Sequence, residues 1–367
     1  MRQVARAGGY SKTFTLPDPL SHPPPSDAGP ESGPEMTWEE YERAVESAAQ
    51  PYAAHCRECS FFYRHLSGLQ PRTPERFKGD YSVKIGYLEW GDVGKPLVVC
   101  LGGVVNVAQR FNNLAMELKD HYHVVCPDWV GRGGSGWLRD EGDYGFGTYV
   151  EQTRQLLAHL GGRPAILLGS SLGGSVAIAL AHAFPQQISK LILNDVGPHI
   201  ATARRRRRAE ILVRHYVFGS PAELLRKTGA AQKNDGMVSQ AMRLLLSHRQ
   251  TAWCNSHEGR VYRHDIRALQ AYQREAVADV DQWKEWGELA CPVLLIHGMQ
   301  SDVLLPADIA RMQAKSRLTL MHIPGAGHTP ALTEPSHVWL IEQWLGGSPM
   351  LGAEFSSLMC ASVVAQA

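Results

Sequence analysis

The chain has 367 residues, 44% of them hydrophobic, and a formal net charge of +1. That is enough for one large domain with additions and a sizeable core, and the near-neutral balance offers no case for nucleic acid or an anionic membrane surface as partner. No apolar run reaches the eighteen or so residues of a membrane span, and the mildly basic start lacks the apolar stretch of a secretory signal, so a soluble cytoplasmic protein is the expectation. Seven cysteines, an odd number at wide spacing, do not form a disulfide framework.

Residues 1–35, with Pro23-Pro24-Pro25, are rich in Pro, Gly and Ser and show no period, which reads as a disordered or loosely ordered extension. Thr37 followed by Glu40 reads as a capping box, and Trp38, Tyr41, Val45 and Ala48 share one helical face. Pro51 is expected to end that helix. Residues 36–75 are taken as a helical arm, with Phe61, Phe62 and Tyr63 packing it. Its roles open at this point are core completion, dimerisation and covering the mouth of a site.

From residue 76 the pattern changes. Tyr81–Trp90 partly alternates, as a half-buried strand does. Apolar runs at 97–101, 122–126, 165–168, 191–193, 293–296 and 318–321 are then separated by helical patterns. Runs buried on both faces and joined by helices argue an α/β fold with a mostly parallel central sheet. The alternation fails over residues 198–290, which are mostly helical in pattern and too long for an ordinary connection. They are expected to form an inserted cap over the C-terminal strand ends, where open sheets bind ligands. The core then comprises 76–197 and 291–346, with a tail over 347–367. Within the cap, Arg204–Arg208 reads as solvated surface or as an anion-recognition patch, and Val213, Val217, Phe218, Leu224, Leu225, Leu244 and Leu245 either line an acyl pocket or hold the cap together.

The chemistry centres on Gly169-Ser170-Ser171-Leu172-Gly173-Gly174, which follows a strand-like run and opens an alanine-rich helical stretch. This is the strand–turn–helix setting that a nucleophile elbow requires. Ser171 at its tip is the candidate nucleophile, near the helix N-terminus that favours developing negative charge. A serine hydroxyl needs a base, and the base needs an orienting acid. Two later loops each follow a strand: one carries Asp302, the other carries Gly327-His328. Asp302 is the first choice for acid and His328 for base. Asp195, after the strand-like run 191–193, is the second choice for acid, or else an anchor for the cap. His121, His297 and His322 lie at strand ends and read as structural or pocket residues. An oxyanion hole needs two convergent N–H groups. Leu172 supplies the first, and Val104, in Leu101-Gly102-Gly103-Val104, the second. No cofactor or metal is expected: there is no Walker A, no H-E-x-x-H, and Gly131-Arg132-Gly133-Gly134-Ser135 lacks the dinucleotide spacing. Cys56 and Cys59, at C-x-x-C spacing, have no second pair beside them.

Taken together, the oxyanion loop, the turn Asp128-Trp129-Val130-Gly131-Arg132-Gly133-Gly134-Ser135, the elbow, and the pair Asp302 and His328 resemble the α/β-hydrolase superfamily over residues 80–345. The family's usual first oxyanion residue is histidine, where Gly102 stands here. The resemblance implies the family fold with a helical cap, and it sets aside branches whose nucleophile is aspartate. It implies a serine hydrolase of carboxylic esters, thioesters or lactones. Hydrolysis of a carbon–carbon bond in a vinylogous diketone by the same triad, and a non-catalytic binding protein on the same scaffold, are the alternatives. The expected partner is a small ester with an apolar acyl part, and a homo-oligomer stays open.

Overall fold

Helix α1 (Trp38–Ala53) opens the ordered chain. The Thr37 hydroxyl accepts from Glu40 N at 3.2 Å, and the Glu40 carboxylate accepts from Thr37 N at 2.8 Å, which is the reciprocal capping expected from sequence. Pro51 does not stop the helix. It sits inside the last turn, where it removes one backbone hydrogen bond, and the helix ends two residues later. This computed structural model describes residues 36–66, 80–214, 216–231, 235–236, 238–314 and 318–347. The expected loose extension over 1–35, the end of the arm at 67–75 and the tail beyond 347 lie outside them.

The helical arm is corrected over its second half. Cys56–His65 is a strand, β1, paired antiparallel along its whole length with β2 (Tyr81–Trp90). Phe61, Tyr63 and His65 face inward while Ser60, Phe62 and Arg64 face outward, the period of two that a strand imposes. Cys56 and Cys59, three apart on a strand, therefore point to opposite faces.

Next come β3 (Leu97–Leu101), α2 (Asn112–Leu118), β4 (His123–Pro127), α3 (Phe146–His159), β5 (Ala165–Ser170), α4 (Leu172–Ala183) and β6 (Ile188–Asn194). The cap follows, with β7 (His199–Ile200), α5 (Thr202–Leu212), β8 (Val217–Phe218), α6 (Pro221–Ala231), α7 (Gln240–Arg249), β9 (Thr251–Cys254), β10 (Gly259–Tyr262), α8 (Ile266–Glu275), β11 (Val280–Asp281) and α9 (Trp283–Glu288). The chain returns through β12 (Val293–Gly298), α10 (Pro306–Gln313), β13 (Leu318–Ile323) and α11 (Pro335–Leu345).

The main sheet has eight strands in the order β1-β2-β4-β3-β5-β6-β12-β13. Both pairings of β2 are antiparallel, and the pairings from β4 to β13 are parallel. Successive residues of the inner strands enter two different cores. Val99, Leu101, Leu167 and Leu193 pack on one face, and Val98, Cys100, Leu168 and Ile192 on the other. Burial on both sides is why these strands read as unbroken apolar runs.

The cap is helical with small sheets added, a three-stranded one in the order β8-β10-β9 and the pair β7/β11. Helix α1 belongs to it spatially. Tyr41 Oη and Ser247 Oγ lie 2.7 Å apart, Arg260 reaches Glu42 at 2.7 Å, and Trp38 meets Trp253 edge-on. Tyr41 and Val45 form one apolar cluster with Phe218, Leu224 and Leu244. Those three cap residues are thus spent on holding α1. Of the arginine run, Arg205 is buried and donates to Ala278 O, whereas Arg206, Arg207 and Arg208 are exposed. No helix among the described residues is long and apolar enough to cross a membrane.

Candidate active site

The elbow stands at the C-terminal end of β5, in the middle of the sheet. Ser171 has φ 50° and ψ −115°, a left-handed strain that L side chains rarely adopt. Only glycine fits on either side of it. A Cβ on Gly169 would lie 2.4 Å from Gly173 O, and one on Gly173 would lie 2.2 Å from Leu101 O. The G-x-S-x-G spacing is therefore a packing requirement. It lets β3, β5 and α4 meet with the serine raised between them. Helix α4, twelve residues long, begins at Leu172, so its first N–H groups lie beside the serine.

The loop 101–104, the candidate for the oxyanion hole, is held by neighbouring side chains. Gly103 N donates to Asn106 Oδ1 at 2.8 Å, and Asn106 N donates back to Gly103 O at 3.2 Å. Trp129 Nε1 donates to Gly102 O and Arg132 Nε to Val104 O, both at 2.9 Å. With the Gly103 carbonyl turned toward Asn106, the Val104 N–H of the same planar peptide points the opposite way. The loop touches the elbow, since a Cβ on Gly103 would lie 3.6 Å from Ser171 Cβ. Asn106, Trp129 and Arg132 were not singled out from sequence as supports. Asn106, three residues beyond Gly103 as turn-forming asparagines often are, carried the one usable signal.

The carboxylate that the His328 imidazole meets is Asp195, and Asp302, the first choice for acid, pairs elsewhere. His328 Nδ1 and Asp195 Oδ2 lie 2.9 Å apart. Asp195 is completely buried, with φ 54°, and also accepts from Gly298 N at 3.0 Å and Ser301 Oγ at 2.5 Å. Asp302 carries a side chain 59% exposed and pairs with Arg204 of the cap. The reason is a difference of one residue: in the loop after β12 it is Ser301 that turns inward to Asp195. Its neighbour turns out to α5.

Of the remaining histidines, His297 and His322 face each other across β12 and β13, Nδ1 to Nδ1 at 3.0 Å. Burial holds both below the usual imidazole range. His121 is exposed near Glu342. Behind the site, Asn194 Nδ2 bridges Ser170 Oγ at 3.0 Å and Pro330 O at 2.9 Å, which ties the elbow to the loop that follows His328.

The family model described as alpha/beta hydrolase fold matches residues 95–335. The chain belongs to this family. Among relatives of the α/β-hydrolase, 3-hydroxybutyrate-oligomer hydrolase of Cupriavidus necator is 29% identical over 274 residues, covering 72% of this chain and 94% of that protein. Serine hydrolase-like protein 2 of Homo sapiens is 25% identical over 299 residues, covering 72% and 91%. Among solved structures, an alpha/beta hydrolase from Novosphingobium aromaticivorans superposes with a TM-score of 0.66 at 25% identity, covering 79% of this chain and 98% of that one. The scaffold, the cap insertion and hydrolase activity at the level of the family are thereby in place for the α/β-hydrolase described here.

Proposed function

We propose that the protein is a serine hydrolase of carboxylic esters, with Ser171 as nucleophile, His328 as base and Asp195 as the orienting acid. The observation that carries this reading is the 2.9 Å bond between His328 Nδ1 and buried Asp195. It commits Nδ1 to donation and leaves Nε2 with the lone pair a general base needs. In the reaction, Nε2 takes the Ser171 proton as Oγ attacks the acyl carbon. Leu172 N–H and Val104 N–H hold the oxyanion, and the imidazolium then protonates the departing alcohol. Water, deprotonated by the same nitrogen, releases the acid.

The relative named for 3-hydroxybutyrate oligomers supports placing short hydroxyacyl oligoesters first on a substrate panel, ahead of simple p-nitrophenyl esters. A ring-cleavage dienoate on the same panel separates ester from carbon–carbon bond hydrolysis. Ser171→Ala is expected to lower turnover on the order of 10⁴-fold or more while leaving the fold intact. Most of the activity surviving in Ser171→Ala would sink the proposal.

A further inference from the structure

The segment that follows His328 is held in a conformation it would not choose alone. Thr329 and Leu332 have φ 57° and 54°, values that non-glycine residues keep only where their surroundings impose them. Three ties impose them here. Arg110 Nη2 donates to Thr329 O at 2.7 Å, Asn194 Nδ2 to Pro330 O at 2.9 Å, and Ala331 N to Asp235 O at 2.9 Å. The first and third ties are joined, because Arg110 Nη1 also donates to Asp235 Oδ2 at 2.7 Å. Arg110 lies in the 3-10 turn Ala108–Phe111, just beyond the oxyanion loop, and Asp235 lies in the cap between α6 and α7. Both are buried, with side chains 4% and 10% exposed.

We propose that Arg110 and Asp235 are positioning residues for the His328 loop, a buried ion pair through which the cap holds the imidazole in register with Ser171. The inference rests on the reading of His328 as base. Its physical basis is the geometry of the guanidinium. One nitrogen binds the cap carboxylate while the other binds the backbone next to His328, so the charge pair and the loop tie share a rigid plane. Asp235 adds its own carbonyl two residues further on. Loss of the cap carboxylate leaves the guanidinium buried without its partner, and Arg110 then has reason to abandon Thr329. Imidazole placement thus depends on a seated cap, with no cap side chain needed at the reacting atoms.

The test pairs hydrogen exchange with kinetics per active site. Asp235→Asn keeps the shape and removes the charge. A second variant, Arg110→Met with Asp235→Leu, removes both charges together, so no lone charge stays buried and folding is spared. Amide exchange over residues 324–332 is expected to quicken at least tenfold in both, with the central strands unchanged. On an activated ester, kcat per site titrated with a fluorophosphonate is expected to fall about 30-fold with KM within about threefold, as a misplaced base produces. Unchanged exchange in this segment overturns the tie. Faster exchange with unchanged kcat per titrated site overturns the positioning role, because a merely structural pair lowers the number of competent sites and not their rate. Faster exchange in a protein whose unaltered form neither turns over ester nor takes up the fluorophosphonate upholds the tie and overturns both the hydrolase reading and the catalytic consequence drawn from it.

Discussion

Two loops of this α/β-hydrolase carry an aspartate at the C-terminal edge of the sheet, and they treat it in opposite ways. Asp195, directly after β6, is wholly buried among three donors: a backbone N–H, a hydroxyl and an imidazole. Asp302, in the loop after β12, is largely in water and meets Arg204 at the rim of the cap. A carboxylate with both oxygens held by donors can fix an imidazole's tautomer and stabilise its cation. A carboxylate largely in water, screened by salt, does little of either.

The comparison breaks if the two aspartates respond alike to substitution. Asp195→Asn is expected to lower kcat about 10⁴-fold at full ester saturation, because an amide no longer selects the tautomer. Asp302→Asn is expected to stay within about threefold. A buried carboxylate elsewhere sharpens the contrast. Asp128 accepts from Ala108 N and Gly134 N, yet burial pushes it up to about 6 from an ordinary 3.8. Its folded value lies above its unfolded one, so its contribution to stability is present below about pH 4 and lost as pH rises through about 6. Urea unfolding of the parent against Asp128→Asn should show the parent losing roughly 3 kcal/mol relative to the variant over that interval. Parallel curves would contradict it. Ser301→Ala removes one of the three donors on Asp195 and is expected to cost about tenfold in kcat/KM, a hydrogen bond to a charged group being worth roughly 1.5 kcal/mol or more. The smallest effect belongs to Arg204→Gln, which should change stability by under about 0.5 kcal/mol at moderate salt.

The layout of the sheet was legible in the sequence because burial on two faces writes continuous apolar runs, and the elbow was legible because its glycines answer a steric demand. The strand Cys56–His65 was not. Outward-facing Phe62, 71% exposed, interrupts the alternation of Phe61, Tyr63 and His65, and the aromatic triplet reads as a packed arm. That His328 meets Asp195 and not Asp302 was illegible for a related reason. Both aspartates follow strands, and composition cannot tell which of two adjacent loop side chains, Ser301 or Asp302, turns inward. The cap announced itself as a break in the strand–helix alternation, but its strands of two to four residues are too short to leave a period. That α1 packs into the cap depends on pairs such as Tyr41 with Ser247, about two hundred positions apart, which no local pattern reports.

The most direct measurement is the rate at which a fluorophosphonate labels the protein, with the adduct located by mass mapping. The account predicts a single adduct on Ser171, formed at the same rate in the parent and in Asp302→Asn and at least a hundredfold more slowly in Asp195→Asn. An adduct on another residue, or labelling that slows in Asp302→Asn and not in Asp195→Asn, would contradict it.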